Sequence, residues 1–98
     1  MARVELAPEI TDDFDRILNY LLEHPIDRAA DRVMEIVQAI DVLASNPLIG
    51  RPVANGKREL VIGRKARGYV ALYHYADEID TVFVLAVRSQ REAGYVTQ

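Results

Sequence analysis

The chain has 98 residues and a mass of 11.1 kDa, is half hydrophobic and 28% charged, contains no cysteine and carries a formal charge of −3. Folding at this size buries roughly 65% of the surface of the unfolded chain, which allows one modest core and argues against a large internal substrate cavity. Disulfides and thiolate chemistry are excluded, and with His24 and His74 as the only imidazoles a zinc site would need several carboxylates, so no metal or cofactor is expected.

In chain order, Val4 and Leu6 alternate with Arg3 and Glu5 before Pro8, which predicts a short first strand. Ile10, Phe14, Ile17, Leu18, Leu21 and Leu22 then share one face of a helix that must end by Pro25. Asp12, Asp13 and Asp15 fall at its start, where the helix dipole favours carboxylates, and read as a solvated group without catalytic pairing. A second helix is predicted from Asp27, a good N-cap, to about Ser45, with Ala30, Val33, Val37, Ile40, Leu43 and Ala44 inward. Residues 46–57 hold Pro47, Gly50, Pro52 and Gly56 and read as an ordered loop leading into a sheet. Strands follow at Arg58–Ile62, Tyr69–Ala76 and Thr81–Val87, joined by connections short enough for antiparallel hairpins. The last is apolar on both faces, as a central strand beside the N-terminal one would be. The order β-α-α-β-β-β implies a single α+β domain over 1–98, an α-hairpin covering one face of a mostly antiparallel sheet and leaving the other face open. No apolar run is long enough to span a bilayer and no basic-then-apolar leader opens the sequence, so a cytoplasmic protein is expected.

Charge is divided unevenly. Residues 1–50 hold four Arg against ten carboxylates, a net −6, and residues 51–98 hold eight Lys or Arg against five, a net +3. Between positions 51 and 75, Arg51, Lys57, Arg58, Arg64, Lys65 and Arg67 face only Glu59, a local +5. Tyr69, Tyr73 and Tyr75 alternate along one strand and share a face, either as a stacking platform interleaved with these cations or as rings flanking a half-buried sheet. His74, on the other parity with Val70 and Leu72, reads as a partly buried, hydrogen-bonded histidine. Arg88, Arg91 and Tyr95 cluster after the last strand, where they could engage a phosphodiester or could pair with Glu59, Asp77 or Glu78 and pin the terminus.

Leu-Ala-Ser-Asn-Pro-Leu-Ile-Gly-Arg-Pro (43–52), Arg-Glu-Leu-Val-Ile (58–62), Gly-Tyr-Val-Ala-Leu-Tyr (68–73) and Val-Leu-Ala-Val-Arg-Ser-Gln-Arg-Glu-Ala-Gly-Tyr (84–95) follow one another behind an α-hairpin. In this order they resemble the RelE/ParE superfamily of type II toxin–antitoxin toxins. The resemblance implies a β-α-α-β-β-β sandwich bound by a cognate antitoxin, ParD-like ribbon-helix-helix or RelB-like, in a hetero-oligomer. RelE-like members are ribosome-dependent mRNA endoribonucleases that use basic residues on the strand equivalent to 58–62, an Arg after the Gly-Tyr, and an Arg and Tyr near the C-terminus. Here Leu60 and Val61 stand at the first of these places, Val70 at the second and Ser89 where many relatives have His, so only Arg88 or Arg91 and Tyr95 match. ParE-like members poison DNA gyrase by binding it, and the Arg-Glu-Leu-Val strand and the Gln-Arg-Glu-Ala-Gly-Tyr ending fit that branch, or the plasmid-stabilisation proteins near it, better. On this reading Arg51, Arg58, Arg64, Lys65, Arg67, Tyr69, Tyr73 and Tyr75 contact antitoxin or target, and Arg88, Arg91 and Tyr95 are catalytic only in the ribonuclease branch. An inactive relative that keeps only its antitoxin-binding surface is the remaining alternative.

Overall fold

The computed structural model describes residues 1–23, 29–63 and 68–90. Strand β1 (Arg3–Leu6) leads to α1 (Ile10–Glu23) and α2 (Ala29–Val42), then to β2 (Arg51–Pro52), β3 (Arg58–Ile62), β4 (Tyr69–Ala76) and β5 (Thr81–Ser89). The sheet order is β1-β5-β4-β3-β2, with β1 parallel to β5 and every other pair antiparallel. The expected α+β architecture holds, and the doubly apolar final strand is central, with Arg3 opposite Thr81 and Leu6 opposite Val84.

The helices cover one face. Ile10, Ile17 and Leu21 from α1, Ile36 and Ile40 from α2 and Leu43 just after it meet Ile62, Tyr69, Ala71, Tyr73, Val82, Val84 and Val87 from the sheet. On α2 the buried face is turned relative to expectation, toward Ile36 and Ile40 and away from Val37. Ile36 is fully enclosed and Val37 is left exposed. The opposite sheet face is only partly open, since Val70, Leu72 and Ala86 are also buried there.

A hairpin the sequence reading passed over joins β2 to β3. Asn55 (φ 64°) and Gly56 (φ 72°) both adopt left-handed backbone, the requirement of the tight turn that matches strand twist. Before it, the 46–50 loop is fixed by Gly50, whose N–H donates to the Tyr73 hydroxyl at 2.8 Å and whose carbonyl accepts from Arg58 Nη1 at 2.8 Å. A β-carbon at Gly50 would stand 2.7 Å from the Tyr73 ring and hydroxyl and 2.8 Å from the Glu59 carbonyl, so only glycine fits. Gly50→Ala is expected to lower stability by about 1–3 kcal/mol, the usual cost of overpacking, as read by urea unfolding.

Candidate functional site

The expected contact residues divide sharply. Tyr69 and Tyr73 do share a face with Tyr75, but it is the helix-covered one: Tyr69 is 5% exposed and Tyr73 is 0% exposed. Their rings are part of the core and are withdrawn from stacking. Burial pushes the Tyr73 phenol above its ordinary 10.0, with the Gly50 N–H and the Arg58 charge acting in the other direction. The half-buried Tyr75 donates to Asp80 Oδ1 at 2.6 Å, and this bond to a carboxylate raises its pKa. Asp80 itself holds a left-handed turn (φ 48°).

Two of the expected cations are committed to the fold. Arg58 donates to the Leu48 carbonyl at 3.3 Å as well as to Gly50, and Arg51 grips Glu59 Oε1 through Nε (3.1 Å) and Nη2 (2.8 Å). His74 is exposed rather than partly buried, because it lies on the sheet face the helices do not cover, and its Nδ1 lies 3.2 Å from the Gly56 carbonyl. Arg64, Lys65, Arg67, Arg91 and Tyr95 lie outside the described residues, as does His24.

The remaining described cation of the C-terminal cluster, Arg88, stands at one end of the sheet. It pairs in register with Val70, and Tyr69 pairs with Ser89. The Gln90 N–H donates to the Gly68 carbonyl at 3.0 Å, which ties the two strands together beside Arg88. Arg88 is half-buried and its Nη1 donates to the Ser89 carbonyl at 3.3 Å.

This strand end is held from beneath by a residue the sequence reading assigned to solvent. Asp13 is 1% exposed. Its Oδ1 accepts from Arg16 Nη1 at 2.8 Å and its Oδ2 from the Val87 N–H at 3.0 Å, while Arg16 Nη2 donates to the Val87 carbonyl at 3.2 Å. The arrangement takes over where a strand is missing: β1 reaches only Leu6, opposite Val84, and its last tie is the Ala7 N–H to the Val84 carbonyl. The signal was present in the spacing, since Asp13 lies three residues after Ile10 and four before Ile17 on the apolar face, with Arg16 one turn on.

A second surface lies on the outside of the helices. One flank of α1 reaches the free edge of β5 through Asp13 and Arg16, so the other flank, with Phe14, Leu18 and Leu22, is turned toward α2, which packs over β3. In an antiparallel hairpin the facing flank of α2 carries Val33, Met34 and Val37. Leu22 is 69% and Met34 50% exposed, so an apolar seam opens outward between the helices. Among the described residues no helix is long and apolar enough to cross a membrane, and no group of three or more His, Asp or Glu is placed to hold a metal ion.

Comparison with known proteins bears on this geometry. A family model described as "ParE toxin of type II toxin-antitoxin system, parDE" matches residues 4–94. Among solved structures, a chain of the chromosomal ParDE system from P. aeruginosa is similar at 22% identity and TM-score 0.72, covering 91% of this chain and 96% of its own. A chain of the RelBE2 toxin–antitoxin complex from Mycobacterium tuberculosis is similar at 23% identity and TM-score 0.56, covering 91% and 98%. These two likenesses are of fold. No curated protein matches the sequence.

The Tyr73 hydroxyl supplies two linked expectations. Tyr73→Phe leaves the Gly50 N–H buried without an acceptor and is expected to cost about 1–3 kcal/mol. Because the folded phenol ionises at higher pH than the unfolded one, its contribution is complete below the ordinary value of 10.0 and declines as pH rises above it. The stability gap between wild type and Tyr73→Phe should therefore narrow above that pH in denaturant titrations.

Proposed function

The chain belongs to the ParE toxin family of type II toxin–antitoxin systems, and we propose that it arrests growth in the cytoplasm by binding and poisoning DNA gyrase, without bond-making chemistry of its own. The observation that carries this reading is at the strand end. The residue after Gly68-Tyr69, where RelE-like nucleases carry an arginine, is Val70, which is 2% exposed and pairs with Arg88. Leu60 and Val61 occupy β3 in place of cations, so half of a nuclease array has apolar side chains instead of donors. Losing one donor aimed at a developing charge costs about 10²–10³ in rate, and an array lacking several has little left to work with. What this end of the sheet offers is the cation Arg88, and in the sequence Arg64, Lys65 and Arg67 precede Gly68 and Arg91 follows Gln90, a set of charges suited to an acidic partner.

The cognate antitoxin, in this reading of ParD type, covers the toxin at two places. Its carboxylates meet the basic sheet end, and an apolar helix of it lies in the seam between α1 and α2, because exposed Leu22 and Met34 need cover that the sheet does not give. The two contacts keep neutralisation and poisoning separable by mutation.

Expression without antitoxin should stop growth and induce DNA-damage signalling, with rescue by extra gyrase, and the purified toxin should inhibit gyrase supercoiling. Cleavage of translated mRNA with supercoiling untouched would assign the chain to the ribonuclease branch, with Arg88, Arg91 and Tyr95 as its working residues. No growth effect at all would make it an inactive antitoxin binder. Leu18→Glu in the seam should weaken antitoxin binding about 100-fold, as loss of an interface hot spot does. It should leave growth arrest intact, because the seam belongs to the helical layer and Arg88 to the opposite face of the sheet.

A further inference from the structure

Asp13 and Arg16 form a device whose extent exceeds what the fold requires at that point. A bare strand edge beneath a helix needs one acceptor for the Val87 N–H and one donor for its carbonyl, and a neutral side chain or a longer β1 would serve. Instead an enclosed carboxylate takes both the Val87 N–H (3.0 Å) and the Arg16 guanidinium (2.8 Å), and the same guanidinium returns to the Val87 carbonyl (3.2 Å). The three bonds close a ring around one residue, Val87, whose two flanking peptide groups supply the N–H and the carbonyl and which immediately precedes Arg88. On the other side of β5 the ladder holds Ala71 against Val87, Val70 against Arg88 and Tyr69 against Ser89, and Gln90 is tied to Gly68. The backbone at Arg88 is thus fixed from both edges, although β1 is absent beyond Val84.

The irregularity of β5 shows why this matters. The register shifts between Leu72 and Tyr73, which pair with Ala86 and Val84, so Leu85 is an extra residue in the strand. A bulge re-aims every side chain that follows it and bends the strand locally. Val87 is the second residue after the bulge, and clamping it sets the rotation with which Arg88 leaves the strand.

We propose that Asp13 and Arg16 are positioning residues for the toxin's target-binding end: they hold Val87 so that the Arg88 guanidinium projects from the sheet face opposite the helices. The proposal rests on the reading of Arg88 as part of the target-binding surface. A planar guanidinium binds through directed donors, so its orientation, and not only its charge, carries the affinity.

The test compares four variants of the full chain at equal soluble amounts, scored by the expression level needed to arrest growth. Arg88→Ala removes the group, and Asp13→Asn keeps the size of the side chain but puts an amide N–H against a donor. Arg16→Lys keeps the charge but not the fork that spans Asp13 and Val87, and Ile36→Val is a core control for lost stability alone. Melting temperatures are measured for all four, and the positional effect is read between variants of similar melting temperature that remain folded at the growth temperature. Arg88→Ala, Asp13→Asn and Arg16→Lys should each raise the required level about tenfold or more, the usual loss for an interface arginine, while Ile36→Val stays near wild type. If Asp13→Asn does not accumulate, Arg16→Lys against Ile36→Val decides. Clamp variants as toxic as Ile36→Val would overturn the proposal, as would full toxicity of Arg88→Ala. Growth arrest is scored without reference to the target, so a failure of the gyrase assignment appears separately, in the supercoiling assay.

Discussion

A carboxylate enclosed in a protein core is tolerated only when its oxygens are taken up by donors, and at Asp13 both are. That bond set joins the helical layer to the central strand. It seats α1 on β5 at the place where the sheet has run out of strands, and so fixes which flank of α1 faces the strand edge and which faces α2. The apolar seam between the helices and the aim of Arg88 both follow from that choice. Removing one partner would leave the other's charge or a backbone group under the helix without a partner, which is why such pairs are weak sources of net stability yet costly to break.

Much of the fold was legible because its signals are local. Arg58–Ile62 and Tyr69–Ala76 begin and end where alternation and the flanking glycines put them, and the doubly apolar run from Thr81 marked the central strand. Which face of a strand is covered is not local information. The period-2 pattern placed Tyr69, Tyr73 and Tyr75 together, but only the packing of α1 and α2 made that face the core, and only the loop at Gly50 gave the Tyr73 hydroxyl a buried partner. The same holds for charge. Arg51 and Arg58 counted toward a basic patch in the sequence, whereas in the fold one is neutralised by Glu59 across a hairpin and the other holds a loop by its carbonyls. The hairpin itself had a sequence signal, Asn55-Gly56, obscured by the prolines around it. Asp13 was misjudged because the first turn of a helix favours aspartate for reasons unrelated to burial.

The division of charge along the chain acquires a spatial meaning. The acidic half forms β1 and the helices, and the basic half forms the rest of the sheet. With Arg51 and Arg58 occupied, two of the six cations between positions 51 and 75 are withdrawn from the positive surface, and Arg88 adds one at the end of the sheet where Gly68 and Gln90 meet. A small protein thereby presents two unlike surfaces on one core, one apolar and one cationic.

The parallel pairing of β1 with β5 also governs when this molecule can exist. Arg3 finds its neighbour only at Thr81, and the strand that supplies Val82, Val84 and Val87 to the core follows every other described element in the chain. Contacts so distant in sequence close late and slowly, because the whole intervening chain must be ordered first. The nascent chain can form its helices early, but they have no central strand to cover until β5 has been made. Its folded surfaces, and whatever harm they do, therefore begin only after that strand has emerged.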